Sequence, residues 1–241
     1  MAHFETSPRL AARIAGALYL ISGEAFSFAE NSVRGKLVVF GDAAATAHNI
    51  LAHQAQYRLA FVAELLPLYI IVTIILYYLL KPVSPRVSLS AAIFSIVGCT
   101  VSTFTALLHF APLIFLKEAS SSTAFSTDQL QSLALLFLKL GTQASNIMMA
   151  FFGFYCILIG YLIFRSSFLP RIIGAFLVIA GLSYLFNYFA AFLALPVADY
   201  SFRYIALPAG ILGEGSLILW LLLMGVNNKR WREQAGAAAR S

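Results

Sequence analysis

Six apolar runs, each near the ~20 residues a helix needs to cross a bilayer, alternate with short polar connections along this chain. They cover about 10–30, 58–80, 87–111, 142–164, 172–195 and 205–226. None alternates with the period of a strand, and backbone amides in hydrocarbon must be satisfied within the segment, so helices are the only reading. The pattern predicts an all-α integral membrane protein with six transmembrane helices in three inside-out-inside hairpins.

Two polar stretches predict more than a linker. Asp42 caps a short alanine-rich helix over 42–53 by accepting a backbone N–H and placing negative charge at the helix start. Ser126 and Gln129 have the spacing of a capping box, with Phe125 and Leu130 as a hydrophobic staple. A helix over 127–140 follows, lying on the outer surface or running directly into the fourth span. Continuous to Phe164, it is about 57 Å long, more than the bilayer is thick, and Gly141 is the expected bend.

Composition agrees with a lipid-facing surface: 61% of the 241 residues are hydrophobic and 11% charged, against roughly a quarter charged in soluble domains. Basic residues then orient the chain. Ten of the 16 Lys and Arg lie at residues 9–13, 81–86, 165–171 and 229–240, and six in the alternate connections. The positive-inside rule places both termini in the cytoplasm. The net charge of +6 accordingly implies an anionic inner leaflet as partner rather than nucleic acid. The expected layout is a cytoplasmic N-terminus (1–9), one transmembrane domain (10–226) and a basic cytoplasmic tail (227–241). Arg13-Ile-Ala-Gly-Ala17 with Ile21 and Gly23 recurs as Arg171-Ile-Ile-Gly-Ala175 with Ile179 and Gly181. The echo argues that the first apolar run is a retained helix rather than a signal peptide, and it hints at an internal repeat.

Ionisable side chains inside spans are costly and therefore candidates for function. They are Glu24, Glu64, His109, Lys139 and Glu214, joined by Asn187 and Asn146. Counted from the basic ends, all fall in the outer half, where they line an expected outward-facing pocket. Glu214 sits in Gly210-Ile-Leu-Gly-Glu-Gly215, whose glycines admit a close neighbour. Three carboxylates in a low dielectric need protons or counter-charges, for which His109, Lys139 and Arg58 are the expected sources. The same groups also suit plain helix locking by interhelical hydrogen bonds.

Other chemistry is missing from the sequence. There is no HExxH, no GxSxG, no phosphate-binding loop and no cysteine cluster around Cys99 or Cys156, so no metal or cofactor is expected and an enzyme is the less favoured class. His48 and His53 are five apart, about 140° around a helix, and do not form a metal pair.

Glu30 with Arg34, Gly41-Asp-Ala-Ala-Ala-Thr46 with Asn49-Ile50, Phe125 to Leu130, Gly160-Tyr-Leu-Ile-Phe-Arg-Ser166, Phe168-Leu-Pro-Arg171, and Gly213-Glu214 with Trp220 together resemble an uncharacterised bacterial and archaeal membrane family, the domain of unknown function 4386. The resemblance runs from about residue 10 to 226. It implies a single multi-pass prokaryotic domain and draws Glu30, Arg34 and Asp42 in as outer-surface candidates beside Arg58. One departure is Gly141-Thr-Gln143, where the resemblance leads one to expect a histidine. The favoured expectation is binding or transport of a small solute, proton or cation, with Glu24 and Glu214 central. The alternatives are a non-transporting membrane interaction or homeostasis protein, and an intramembrane lipid-modifying enzyme using a carboxylate with His109.

Overall fold

The computed structural model describes residues 7–64, 67–118 and 124–240; most of the expected N-terminal segment, residues 1–6, lies outside them. The described residues are helical throughout, with no strand among them. Helix α1 spans Pro8–Ser27 and continues through a widened π segment, Phe28–Arg34, and a last turn, Gly35–Leu37. Next come α2 (Ala43–Ala52), α3 (Gln54–Glu64), α4 (Leu68–Leu80), α5 (Pro85–Glu118), α6 (Thr127–Arg165) and α7 (Arg171–Phe192). A single turn and a second π segment, Phe202–Ala206, lead into α8 (Leu207–Leu223), and α9 (Asn228–Ala238) closes the chain.

Among the described residues, five helical segments are long and apolar enough to cross a membrane: Gln54–Leu80, Pro85–Glu118, Thr127–Arg165, Arg171–Phe192 and Phe202–Leu223. α1 is the less apolar element, with Arg9, Arg13 and Glu24 among its 20 residues. Large apolar side chains point away from the protein along these helices, among them Ile172, Ile179, Leu182 and Phe189 on α7 and Ile211, Leu219 and Leu223 on α8. A water-facing surface does not tolerate stripes of that extent, and a lipid-facing one requires them.

Local chemistry sets the helix ends. Asp42 accepts from the Ala45 N–H at 2.8 Å, as its position predicts. The Ser126 N–H donates to Gln129 Oε1 at 2.8 Å while the Gln129 N–H donates to Ser126 Oγ at 3.3 Å, a reciprocal capping box. Pro85 opens α5 and Pro170 precedes α7, where a missing N–H costs nothing. α8 ends on Gly225 in the left-handed region, with φ 67°. Its final carbonyls are covered by the chain's start: Arg9 Nε donates to the Met224 oxygen at 3.1 Å and Arg13 to the Leu223 oxygen at 2.8 Å, cations at the negative end of a helix.

Two boundaries differ from expectation. α5 runs past 111 to Glu118 and contains Pro112, whose missing N–H takes the helical donor from the Leu108 carbonyl; one residue on, the Tyr57 hydroxyl donates to the His109 carbonyl. α6 passes through Gly141 without interruption, for 39 residues or about 58 Å. Gly141 marks no break in the helix because it serves a contact instead: a Cβ there would collide with the His109 ring.

The contacts fall into two compact units. One comprises residues 1–20, 67–99 and 146–241, the other 21–66 and 100–145. The first is built around Leu76, Leu80, Ile159, Leu162, Leu177, Leu217 and Leu221. In it α6 and α7 meet backbone to backbone. A Cβ on Gly174 would lie 2.5 Å from the Gly160 oxygen, and one on Gly181 the same distance from the Gly153 oxygen. Glycines seven apart on two antiparallel helices thus form one small-residue seam. The α9 tail docks onto this unit, with Trp231 Nε1 donating to the Leu79 oxygen at 2.8 Å and Gln234 accepting from Ser167 Oγ at 2.9 Å.

The second unit packs Val33, Ile50, Tyr57, Ala60, Leu113, Leu116 and Leu138 together. Its 38–42 connection shows what the motif from Gly41 to Ile50 is for. Gly41 takes φ 98°, Asp42 caps, Thr46 exchanges hydrogen bonds with both backbone groups of Val39 at 3.0 and 3.1 Å, Asn49 donates to the Leu37 oxygen at 3.2 Å, and Ile50 is fully buried.

Candidate functional site

The second unit holds a charged cluster. Glu30 and Arg34 lie one turn apart in the π segment, and such widened turns recur at functional sites. One Arg34 terminal nitrogen donates to Glu30 Oε1 at 2.6 Å and to Glu64 Oε1 at 2.5 Å, and the other to Glu64 Oε2 at 2.8 Å. The Glu64 fork is thus bidentate, the strongest geometry available to this pair. His109 Nδ1 lies 4.0 Å from Glu64 Oε1. The side chains of Arg34, Glu64 and His109 are 7%, 2% and 6% exposed, whereas Glu30 is 32% exposed. Glu30 is the cluster's contact with its surroundings.

Arg34 was expected on the outer surface and is buried instead. A bare sequence cannot show that the π segment brings it against α3, where Glu64 supplies the counter-charge. Burial disfavours the Arg34 charge, yet the carboxylates of Glu30 and Glu64 more than offset it and hold the guanidinium above its ordinary value. Two buried atoms of this cluster, Arg34 Nε and His109 Nδ1, remain without a hydrogen bond among the described residues. Ligand atoms of Glu30, Glu64 and His109 all lie within 4.8 Å of one another. That is wider than the roughly 3 Å between donors at ~2.1 Å from one metal ion, and the Arg34 guanidinium bridges the two carboxylates.

In the first unit Glu214 is held without any cation among the described residues. Tyr19 donates to its Oε2 at 2.5 Å, Tyr184 donates to Oε1, and Tyr69 donates to the Tyr19 oxygen at 3.0 Å. Gly210 is the reason Tyr184 fits, since a Cβ there would overlap the phenol oxygen. Gly213 packs on the Phe176 backbone, while Gly215 faces open space, so two of the three glycines in this motif admit neighbours. Asn187 and Asn146 are likewise brought together: the Asn187 amide donates to Asn146 Oδ1 at 3.2 Å and its oxygen accepts from Ser201 Oγ at 2.7 Å.

Other candidates stay apart. Glu24, expected as a central carboxylate, is exposed on α1 and makes no side-chain hydrogen bond among the described residues. Lys139 is exposed on α6. Arg58 is exposed too and rests 5.9 Å from the Phe110 ring centre. Neither basic residue pairs with a carboxylate among the described residues. Asp42 is an exposed cap, and His48 and His53 are exposed on and just after α2. Glu64 and Glu214 belong to different units, each with its own partners. Of two shallow grooves, one lined by residues 128–136 on α6 and one by Phe61, Thr100, Thr103, Phe104 and Leu107, neither is lined by the expected pocket residues. The tyrosines were missed because Tyr in a span reads as packing or interfacial belt. Their signal was position, since Tyr19 lies well inside its run.

The profile described as "Domain of unknown function (DUF4386)" matches residues 14–225. The chain belongs to that family. A relative from Archaeoglobus fulgidus described as "Uncharacterized protein" is 28% identical over 171 residues, covering 70% of this chain and 84% of its own. No solved structure matches. The resemblance of Glu30, Arg34, Asp42 and Glu214 to DUF4386 motifs thus sits on a family-wide match, and three of the four carry the charged cluster or the tyrosine-held carboxylate.

Proposed function

We propose that this DUF4386 protein is a six-span protein of the prokaryotic inner membrane that binds and moves a proton or small cation at the Arg34 cluster. One observation carries the reading. Two carboxylates face one guanidinium, with an unpartnered imidazole beside them, so the cluster is one positive charge short of neutral when His109 is uncharged. An uncompensated charge in such surroundings costs several kcal/mol, and a cation supplied from outside relieves it. Glu30, the partly exposed member, is the entry point.

Support for the sixth span comes from α1, whose Leu10, Ile14 and Ile21 are 57%, 42% and 50% exposed, an apolar face suited to lipid. Basic residues at 9–13, 81–86, 165–171 and 229–240 favour cytoplasmic termini and an anionic inner leaflet as partner. The test is flux in proteoliposomes under imposed gradients of protons, sodium, potassium and divalent ions. Wild-type protein should move at least one of them above the empty-liposome rate, and Glu64→Gln should lower that rate tenfold or more with helicity unchanged. Background flux for every cation would remove the reading.

A further inference from the structure

We propose that the cation taken by this cluster is a proton, shared between Glu64 and His109 and exchanged with water through Glu30. The proposal deepens the cation reading and rests on it.

Charge is the first argument. Arg34 with ionised Glu30 and Glu64 leaves one negative charge; one proton makes the group neutral, whereas a divalent ion overshoots to one positive charge in a site already holding a guanidinium. Space is the second. A metal ion or a dehydrated alkali ion would sit between the carboxylates, and there an Arg34 nitrogen donates to Glu30 Oε1 at 2.6 Å and Glu64 Oε1 at 2.5 Å. A proton needs only an unused lone pair.

His109 Nδ1 offers one. It is buried, has no hydrogen-bond partner among the described residues, and lies within 4.0 Å of Glu64 Oε1, so with the ring proton on Nε2 it is an acceptor. The ring is seated against Gly141, which has no Cβ to push it away, and the residue's carbonyl is held by the Tyr57 hydroxyl. Among the described residues, the titratable groups facing this pair are Arg34 and Glu30 from the π segment and Tyr57 from α3. α6 meets His109 through Gly141. On uptake a hydronium ion gives its proton to Glu30 and becomes water. The Glu30 O–H bond then breaks as an O–H forms on Glu64 or an N–H on His109 Nδ1, and no other bond changes.

The experiment is infrared difference spectroscopy of the full-length protein in metal-free liposomes cycled between acid and alkaline buffer, with a pH indicator counting protons. Wild type should gain a carboxylic C=O band that shifts in deuterated water and should bind about one proton per chain more than Glu64→Gln. Glu64→Gln keeps the Arg34–Glu30 pair neutral and should fold. His109→Gln, a second probe should that variant be unstable, should move the midpoint of uptake by about one pH unit or more. Glu214→Gln should leave uptake at the cluster unchanged. A spectrum insensitive to both cluster variants, or cation flux that depends on Glu64 without any protonation signal, would overturn the proton assignment, the second outcome leaving the wider reading intact. Proton uptake without flux keeps the assignment and sinks transport alone.

Discussion

The two units of this protein hold a carboxylate among apolar helices in opposite ways. Around Glu64 the partner is a charge, Arg34, fixed through a bidentate fork and shared with Glu30. Around Glu214 the partners are neutral phenols, Tyr19 and Tyr184, with Tyr69 behind the first. A charge pair is strong but leaves a remainder whenever the counts differ, and here they differ by one. Phenol donors supply no counter-charge and instead give the carboxyl group two hydrogen bonds set by the packing. The first arrangement suits exchange of a cation; the second suits holding α8 against α1 and α7.

That contrast can be broken by substitution. Arg34→Ala should have the largest effect, about 3–5 kcal/mol of stability, because it strands the buried Glu64 carboxylate and leaves Glu30 without its partner; unfolding in mixed micelles measures it, and a loss no greater than that of Glu214→Gln would erase the distinction between the units. Gly160→Val or Gly174→Val should cost about 1–3 kcal/mol or more by forcing α6 and α7 apart, and a matching loss in both variants would show that the seam acts as one interface. Tyr184→Phe should cost about 1–3 kcal/mol, the range for leaving a buried acceptor unsatisfied, with cation flux unaltered. Asp42→Ala should cost only about 1 kcal/mol through the lost cap on α2. An equal loss from Asp42→Asn would show that charge rather than hydrogen bonding matters there.

Much of the fold was legible because lipid and the helix backbone act locally. The apolar runs of α4 to α8 are set by the need to satisfy every amide within a segment, and the caps at Asp42 and Ser126 by donors and acceptors three residues apart. The third apolar run was read as ending at 111, whereas α5 continues through Pro112 to Glu118, because a proline inside a membrane helix weakens one turn without having to end it. Sequence left open whether the helix from Thr127 lies on the surface or runs into the fourth span; α6 is continuous, and Gly141 admits the His109 ring. The glycines at 153, 160, 174 and 181 were readable as a seam from their spacing.

The candidate site divides along the same line. Sequence singled out Glu64, His109 and Glu214 because an ionisable group in an apolar run is costly wherever it falls. It did not pair Glu64 with Arg34, seat His109 on Gly141, or gather tyrosines from three helices around Glu214. Nor did it set Glu24 aside, since an exposed and a buried glutamate look alike in a string of letters. By itself the sequence determined that this chain is a helical membrane protein carrying a few expensive charges. Only the tertiary structure decided which charges meet, because pairing energies depend on side-chain separations of a few ångströms between segments far apart in the chain, and no local rule carries that distance.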